Sequence, residues 1–323
     1  MIKNKNILIT GGAGFIGSHL FEKLISNSNY ILVIDNFSSV ETEKNFQEIT
    51  QNYEIKTDFN LIRGDLTDNS IFKDLNFDFD VIFHLAATPG VRFSIQNASN
   101  VTKNNIISAL NIFEKALKSN VEKVVVASSS SVYGDPIYTP VDEEHPKHPI
   151  SPYAVSKLCC EMYADYYFRE NNLPVSSLRF YTVYGPRGRP DMAIRIFFNK
   201  IMNNEPLKIF GDGSQIRDFT YVSDIVEGLI LAAEIKQSSG EIFNLGCSNP
   251  IVLNQLIDKM CDITDRPKNV QYLEKQKGDV KITHSKIDKA KRILGFSPKI
   301  KIDEGLQKTY EWQLTKEKLQ NYI

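Results

Sequence analysis

The chain has 323 residues, with 38 Lys plus Arg against 39 Asp plus Glu and a formal net charge of −1. That balance speaks against a general nucleic-acid binder, which needs a basic excess to meet phosphates, and against a polybasic membrane-surface binder. Hydrophobic residues at 42% and charged residues at 24% are those of a globular protein, long enough to bury a large core without staples.

The N-terminal residues MIKNKNILIT run straight into a strand-like segment, with no long apolar stretch and no small-residue cleavage site, so no signal peptide is expected. No apolar run reaches the roughly 18 residues of a membrane span. The four cysteines, Cys159, Cys160, Cys247 and Cys261, form no CxxC pair. They read as reduced thiols in a cytoplasmic protein, and no metal site is expected. In chain order, Ile7–Thr10, Ile31–Ile34, Leu61–Arg63, Val81–His84 and Val124–Ala127 are short β-branched runs, the pattern of strands buried on both faces. Between them the spacing predicts helices near 15–26, 97–118 and 152–171, the second with Ile106, Leu110, Phe113 and Leu117 on one stripe. A strand at Val175–Arg179, a Gly/Pro/Arg loop at 184–190, a helix over 192–203 and a strand at Leu207–Phe210 follow. A helix over 222–235 and a strand at 241–245 then read as a return to the main sheet. The alternation predicts an α/β fold, a doubly wound parallel sheet of Rossmann type, with a smaller C-terminal α/β part. Residues 1–180 with a returning segment at about 220–247 form the expected cofactor-binding domain. Residues 181–323 form an interleaved substrate part.

The strand Ile7–Thr10 opens into Gly11-Gly12-Ala13-Gly14-Phe15-Ile16-Gly17 and a helix. Glycines there permit a tight turn and close approach of a pyrophosphate, and the helix N-terminus offers unpaired N–H groups. Asp35 closes the next strand, where a carboxylate accepts bonds from ribose hydroxyls and repels a 2′-phosphate. Asn36 and Phe37 follow, with no basic residue beside the acid in sequence. The cofactor expected is therefore NAD. Asp65, in Arg63-Gly64-Asp65-Leu66 after another strand, is a further candidate for the adenine end, balanced against a plain turn carboxylate.

Tyr153-Ala154-Val155-Ser156-Lys157 places a phenol and an ammonium one helical turn apart. A free phenol, with a pKa of about 10, is a poor base at neutral pH. A neighbouring ammonium and a cationic nicotinamide both favour the phenolate. Strand Val124–Ala127 ends in Ser128-Ser129-Ser130-Ser131-Val132-Tyr133-Gly134, hydroxyls at the crevice where such sheets bind ligands. One or two of these serines are expected to take part in chemistry.

Together, GGAGFIG, Asp35, Leu85-Ala86-Ala87, SSSSVYG, YAVSK and Arg217-Asp218-Phe219-Thr220-Tyr221-Val222 resemble the extended short-chain dehydrogenase/reductases, within them the nucleotide-sugar epimerase/dehydratase group. Thr88-Pro89-Gly90-Val91-Arg92-Phe93-Ser94, the stretch Tyr181–Ala193, and Gly278-Asp279-Val280 with Thr283 are similar to the UDP-glucuronate 4-epimerases. The resemblance implies Tyr153 as base, Lys157 as its partner and Ser129 as the assisting hydroxyl. It implies a cofactor site of Gly11, Gly14, Phe15, Ile16, Gly17, Asp35, Asn36, Asp65, Leu66, Leu85, Ala86 and Ala87, joined by Tyr153 and Lys157. It implies Arg217 at the UDP diphosphate; the other substrate contacts expected are Thr88, Ser130, Ser131, Thr182 and Arg189, with Arg92 either at the sugar or its phosphates or in a structural ion pair. Ser130 and Ser131 stand where related dehydratases carry an Asp-Glu pair, and where decarboxylases carry a glutamate at the second position. The helices 97–118 and 152–171 resemble a pair that builds a homodimer interface.

The implied reaction is oxidation of a UDP-sugar at C4, turnover of the 4-keto sugar and its reduction from the other face. With a uronic acid the keto intermediate is a β-keto acid, so its carboxylate must be held out of alignment with the carbonyl π system. Arg189, with Thr182 and a loop serine, is the expected clamp, because a guanidinium fork fixes a carboxylate's orientation. UDP-glucose or UDP-N-acetylglucosamine 4-epimerisation is the nearest alternative. A UDP-glucuronate decarboxylase, a non-catalytic NAD-binding regulator and a scaffold using 162–168 stand further off.

Overall fold

Val, Ile and Leu crowd the short runs of the first half, and such runs are stable only when helices cover both faces of the sheet they form. The computed structural model describes residues 2–27, 29–55, 57–73, 78–274 and 280–320. It opens with β1 (Asn6–Thr10), α1 (Phe15–Ile25), β2 (Tyr30–Asp35), α2 (Val40–Thr50), β3 (Phe59–Arg63) and β4 (Val81–His84). Next come α3 (Val91–Gln96), α4 (Ala98–Thr102), a π-helical turn (Lys103–Ile107), α5 (Ser108–Lys118), β5 (Lys123–Ser129), α6 (Pro152–Asn171) and β6 (Val175–Phe180). β7 (Thr182–Tyr184), α7 (Ala193–Met202), β8 (Leu207–Phe210), β9 (Ile216–Arg217), β10 (Phe219–Tyr221), α8 (Val222–Glu234) and β11 (Ile242–Leu245) follow. The chain ends with β12 (Ile251–Val252), α9 (Leu253–Thr264), β13 (Val270–Leu273), α10 (Asp288–Leu294) and α11 (Ile302–Gln320).

Seven strands form one parallel sheet in the order β11-β6-β5-β4-β1-β2-β3. The winding direction reverses between β1 and β4, which opens a crevice at their C-terminal ends. Within β1, Ile7 and Ile9 enter one apolar layer with α1 and α8, while Leu8 enters the other with α5 and α6. This is the doubly wound sheet expected from the sequence, and the strand expected at 241–245 returns to its edge as β11. The smaller C-terminal part is built from three two-stranded pairs, β7 with β10, β8 with β13 and β9 with β12.

Two sequence expectations are corrected. The buried stripe of α5 is Ala109, Ile112, Phe113 and Ala116, while Leu110 is only half-buried and Leu117 is 41% exposed. Ala109 and Ala116 flank Ile112 and Phe113 on the buried face, and Leu110 and Leu117 fall outside it. The stretch 97–118 is also not one regular α-helix, since the π turn interrupts it. The four cysteines are free thiols. Among the described residues no helix is long and apolar enough to cross a membrane.

Candidate active site

The first crevice wall is the loop after β1. Gly11 has φ +68, and a Cβ there would lie 2.7 Å from the Ala86 nitrogen. A Cβ on Gly17 would lie 2.1 Å from the Gly11 carbonyl oxygen. Glycine is therefore what lets the turn fold flat against the end of β4. Gly14 caps α1 with no side-chain acceptor, which leaves the N–H groups of the first turn, at Phe15 and Ile16, facing the crevice. A glycine-rich turn leading into the N-terminus of a helix fits a dinucleotide pyrophosphate. Beside it, the Leu85 N–H donates to Thr10 O at 3.1 Å, and Ala86 and Ala87 continue the chain past it.

Asp35 ends β2 and is buried. Its carboxylate accepts the Ala13 N–H at 3.0 Å and the Phe37 N–H at 2.9 Å. Burial pushes its pKa up, against the pull of these backbone N–H groups and of Arg63. The strand register sets Arg63 directly opposite Asp35, a basic neighbour that the local sequence did not show. Arg63 lies 4.5 Å over the Phe37 ring and is paired with Glu43, so its charge is already met. Asn36 accepts the Ser38 N–H at 3.1 Å. Asp65 Oδ1 accepts the Thr67 N–H at 2.8 Å, and the buried Leu66 carbonyl accepts Asn111 Nδ2 at 2.7 Å.

The second wall is α6 and the end of β5. Ser151 caps α6 by accepting the Ala154 N–H at 3.2 Å, and Pro152 follows at the first helical position, so the helix starts sharply beneath Tyr153. Tyr153 is half-buried, and Lys157 is buried with its ammonium donating to Ala127 O at 2.7 Å. Ser129 is the last residue of β5, and its hydroxyl oxygen accepts the Ser131 N–H at 3.2 Å and the Ser131 hydroxyl at 3.0 Å. Ser130 opens the short helical turn that follows. The glycine loop, Asp35, Leu85–Ala87, Ser129, Tyr153 and Lys157 thus gather around the C-terminal edge of the sheet.

Two residues to which the sequence reading gave no role belong here. Asn105 sits in the π turn, its amide oxygen accepting the Thr88 N–H at 2.7 Å and its amide nitrogen donating to Ser156 Oγ at 2.9 Å. Ser156 Oγ in turn donates to Tyr153 O at 2.8 Å. A buried asparagine inside an apolar helical stretch was the available signal. His84 is buried at the end of β4, with Nδ1 2.8 Å from Thr10 Oγ1. Burial, helped by Lys157, pushes its pKa down to about 3, so it adds no charge beside that ammonium.

The residues expected to meet substrate are more dispersed. Thr88 Oγ1 accepts Asn104 Nδ2 at 3.0 Å. Arg92, at the start of α3, lies 4.9 Å over the Phe210 ring of β8. Thr182 lines a small cavity of about 20 Å³ with Tyr184, Gly188, Met192 and Phe219. Arg189 Nε and Nη2 donate to Asp191 at 2.9 and 2.8 Å. Burial lowers the Arg189 pKa, but the Asp191 bonds outweigh this and raise it, with Tyr153 close enough to contribute. Arg187, two residues earlier on the same loop, pairs with Glu22 of α1. Arg217 Nη1 donates to Ile216 O at 2.9 Å and Lys281 O at 3.3 Å, and the Asp218 N–H beside it donates to Thr283 Oγ1 at 3.0 Å. Gly278 and Asp279 lie outside the described residues.

A glycine cradle at the switch point of a doubly wound sheet, an acid at the end of the second strand and a Tyr/Lys pair on the crevice helix define a dinucleotide-dependent enzyme. Residues 7–246 match the model of the NAD dependent epimerase/dehydratase family. A UDP-glucuronate 4-epimerase of Thermodesulfobacterium geofontis is 38% identical over 316 residues, covering 94% of this chain and 95% of that protein. The structure of UDP-glucuronic acid 4-epimerase from Bacillus cereus in complex with UDP-glucuronic acid and NAD matches with a TM-score of 0.89 at 34% identity, over 96% of this chain and 99% of that one. A UDP-N-acetylglucosamine 4-epimerase from Methanobrevibacter ruminantium, in complex with UDP-N-acetylmuramic acid, matches with a TM-score of 0.89 at 33% identity, over 98% and 100% of the two chains. This chain belongs to the NAD-dependent epimerase/dehydratase family, and it is an NAD-dependent epimerase.

Proposed function

We propose that the enzyme inverts C4 of a UDP-sugar, and that the sugar is glucuronate, giving UDP-galacturonate. The observation that carries the uronate reading is Arg189, a guanidinium set close to Tyr153 on one side and near Gly90 on the other. The likeness to two UDP-glucuronate 4-epimerases supports it. NAD, when bound, supplies the acceptor and donor of the C4 hydride. Gly11, Gly14, Phe15, Ile16 and Gly17 would hold its pyrophosphate, Asp35 and Asn36 its ribose, and Asp65 with Leu66 its adenine end. Leu85–Ala87 and Lys157 would line its nicotinamide half. Tyr153 takes the proton of the sugar 4-hydroxyl and later returns it, with Ser129 bonding the same oxygen. Lys157 stands one helical turn beyond Tyr153 on the same helix. Ser130 and Ser131 bring no carboxylate to this loop, so it offers no extra acid or base for elimination or decarboxylation. Arg217 and Arg92 would meet the UDP diphosphate, and Thr88 and Thr182 the sugar.

In this reading Arg189 exchanges Asp191 for the substrate carboxylate. The same Arg189–Asp191 pair favours a second reading, in which the guanidinium is already neutralised and the sugar is uncharged, as UDP-glucose or UDP-N-acetylglucosamine. Purified protein incubated with UDP-glucuronate and followed by NMR of the anomeric signals separates the two. UDP-galacturonate without CO2 supports the uronate. A UDP-pentose would overturn the argument from the serine loop. No change with UDP-glucuronate, but turnover of UDP-glucose or UDP-N-acetylglucosamine, would establish the neutral-sugar reading. We also propose that residues 1–180 with 220–247 carry the cofactor and the rest carries the sugar, and that the enzyme works in the cytoplasm as a homodimer.

A further inference from the structure

Ser129 leaves β5 on one side of the sheet, and Ser128, as its neighbour, leaves on the other. Ser128 and Arg179 are register partners on β5 and β6, so they share that opposite face. Both converge on Glu161. The Ser128 hydroxyl donates to Glu161 Oε1, and Arg179 Nε and Nη2 donate to Oε1 and Oε2 at 2.9 and 2.7 Å. Glu161 lies on α6 one turn beyond Lys157 and two beyond Tyr153. Lys157 itself donates to Ala127 O. Consecutive residues of β5, 127 and 128, are thus fastened to consecutive turns of the helix that carries Tyr153.

The far end of the serine loop is tied to the same arginine. Arg179 Nη1 donates to Tyr133 Oη at 2.7 Å and to Glu143 O at 3.2 Å, and the Tyr133 hydroxyl donates to Asn244 Oδ1 at 2.7 Å. Ser128, Tyr133, Glu161 and Arg179 are each at most 3% exposed. Residues 129–132 therefore hang between two anchors, 128 and 133, that share one buried ion pair. Such a pair contributes little net stability compared with apolar packing, but it admits few alternative geometries.

We infer that Ser128 is a positioning residue of the reaction: acting through Glu161 and Arg179, it sets the place of Ser129 relative to Tyr153. The inference rests on the roles proposed for Ser129 and Tyr153. The test compares the NAD-loaded parent with Ser128→Ala, Ser128→Thr and Ser129→Ala, using whichever UDP-sugar the parent turns over. The readouts are kcat, KM, NAD content and single-turnover reduction of the bound NAD. Misplacing the loop by a fraction of an ångström should lower kcat and the single-turnover rate of Ser128→Ala by about 10- to 100-fold. KM and NAD content should stay near the parent's, and Ser128→Thr, which keeps the hydroxyl, should recover most of the loss. Unchanged kcat in Ser128→Ala, or a loss that comes with lost NAD and is not recovered by threonine, would overturn the inference. If Ser128→Ala does not fold, Tyr133→Phe releases the other anchor while keeping the ring, and unchanged kcat there is equally fatal. A parent inactive on every UDP-sugar defeats the functional reading itself. An active parent with a dead Ser129→Ala and a fully active Ser128→Ala defeats only this inference.

Discussion

Among the described residues the Tyr153 hydroxyl makes no hydrogen bond, and the residue is bonded through its backbone carbonyl, so its substitution by Phe should report on chemistry. Tyr153→Phe is expected to retain NAD and the parent's thermal stability while losing about 100- to 10,000-fold in kcat, the range for a positioned acid–base group. A rate close to the parent's would remove Tyr153 from the reaction. Arg189 poses a different question, because its fork is held by Asp191. If substrate displaces that carboxylate, Asp191→Asn should lower KM for UDP-glucuronate, since the guanidinium no longer has to leave an anion. Arg189→Ala should abolish turnover of the uronate and release some CO2 as the keto acid loses its restraint. An Asp191→Asn enzyme with a higher KM would mean that Asp191 orients the arginine rather than competing for it. The residues of this site differ in how far they could be read from sequence. Gly11 and Gly17 were legible because backbone geometry leaves few other residues for those positions, and Asp35 because it is the acid that closes the strand after that loop. The Arg189–Asp191 pair was not, because a short loop contact depends on rotamers that no periodicity encodes. Arg63 was hidden for another reason: it meets Asp35 through strand register, twenty-eight positions away in sequence.

At the scale of elements, the sheet was legible and several helices were not. β1, β2, β4 and β5 are apolar runs that could hardly be anything else, whereas α2 buries only Asn45 and Phe46 and reads as a charged loop. The two apolar stripes of α5 share Phe113, and spacing alone does not say which faces the sheet. The π turn at 103–107 is not legible in the sequence because an inserted residue leaves no compositional trace. It is held by Asn105, and Asn105→Ala should cost about 1–3 kcal/mol, the penalty of leaving the Thr88 N–H and Ser156 hydroxyl short of a buried partner. Urea titration of that variant checks the value. The histidines on α1 and β4 give these elements a pH dependence. Burial, with help from Arg187 and Lys157 respectively, lowers His19 and His84 from 6.5 to about 3. Both are neutral in the folded protein, while the unfolded chain binds protons below about pH 6.5. Stability should therefore be fully present above that pH and fall as pH drops from about 6.5 toward 3, by up to about 1.4 kcal/mol per pH unit for the buried His84. Denaturant midpoints measured from pH 7.5 to 4.5 should show the slope, and His19→Gln should reduce it. A flat profile over that range would contradict the assignment of both rings as neutral.

For the whole molecule, the helix that carries the Tyr/Lys pair also shapes the outer surface. One face of α6 is buried through Ala154, Lys157, Cys160, Glu161 and Ala164, as the inner wall of the site requires. The other presents Val155, Met162, Tyr163 and Tyr166, each at least 40% exposed. Ile107 and Leu117 stand exposed on the neighbouring helical stretch, and Phe113 packs on Tyr167 between the two helices. A helix apolar on both sides is expected to be covered on both sides, and an exposed patch of this kind marks an interface. The proposed dimer would cover it by pairing these helices with their copies. Sedimentation of the parent should then give twice the 36.7 kDa chain mass, with a melting temperature that rises with protein concentration. Met162→Glu combined with Tyr166→Glu places carboxylates in the middle of the patch and should yield a monomer. Because the opposite face of the same helix holds Tyr153, that monomer should also lose activity in step with dissociation. A parent that sediments as a monomer at micromolar concentration would exclude the dimer. A double variant that stays dimeric would place the interface elsewhere, leaving the apolar face of α6 to a different partner.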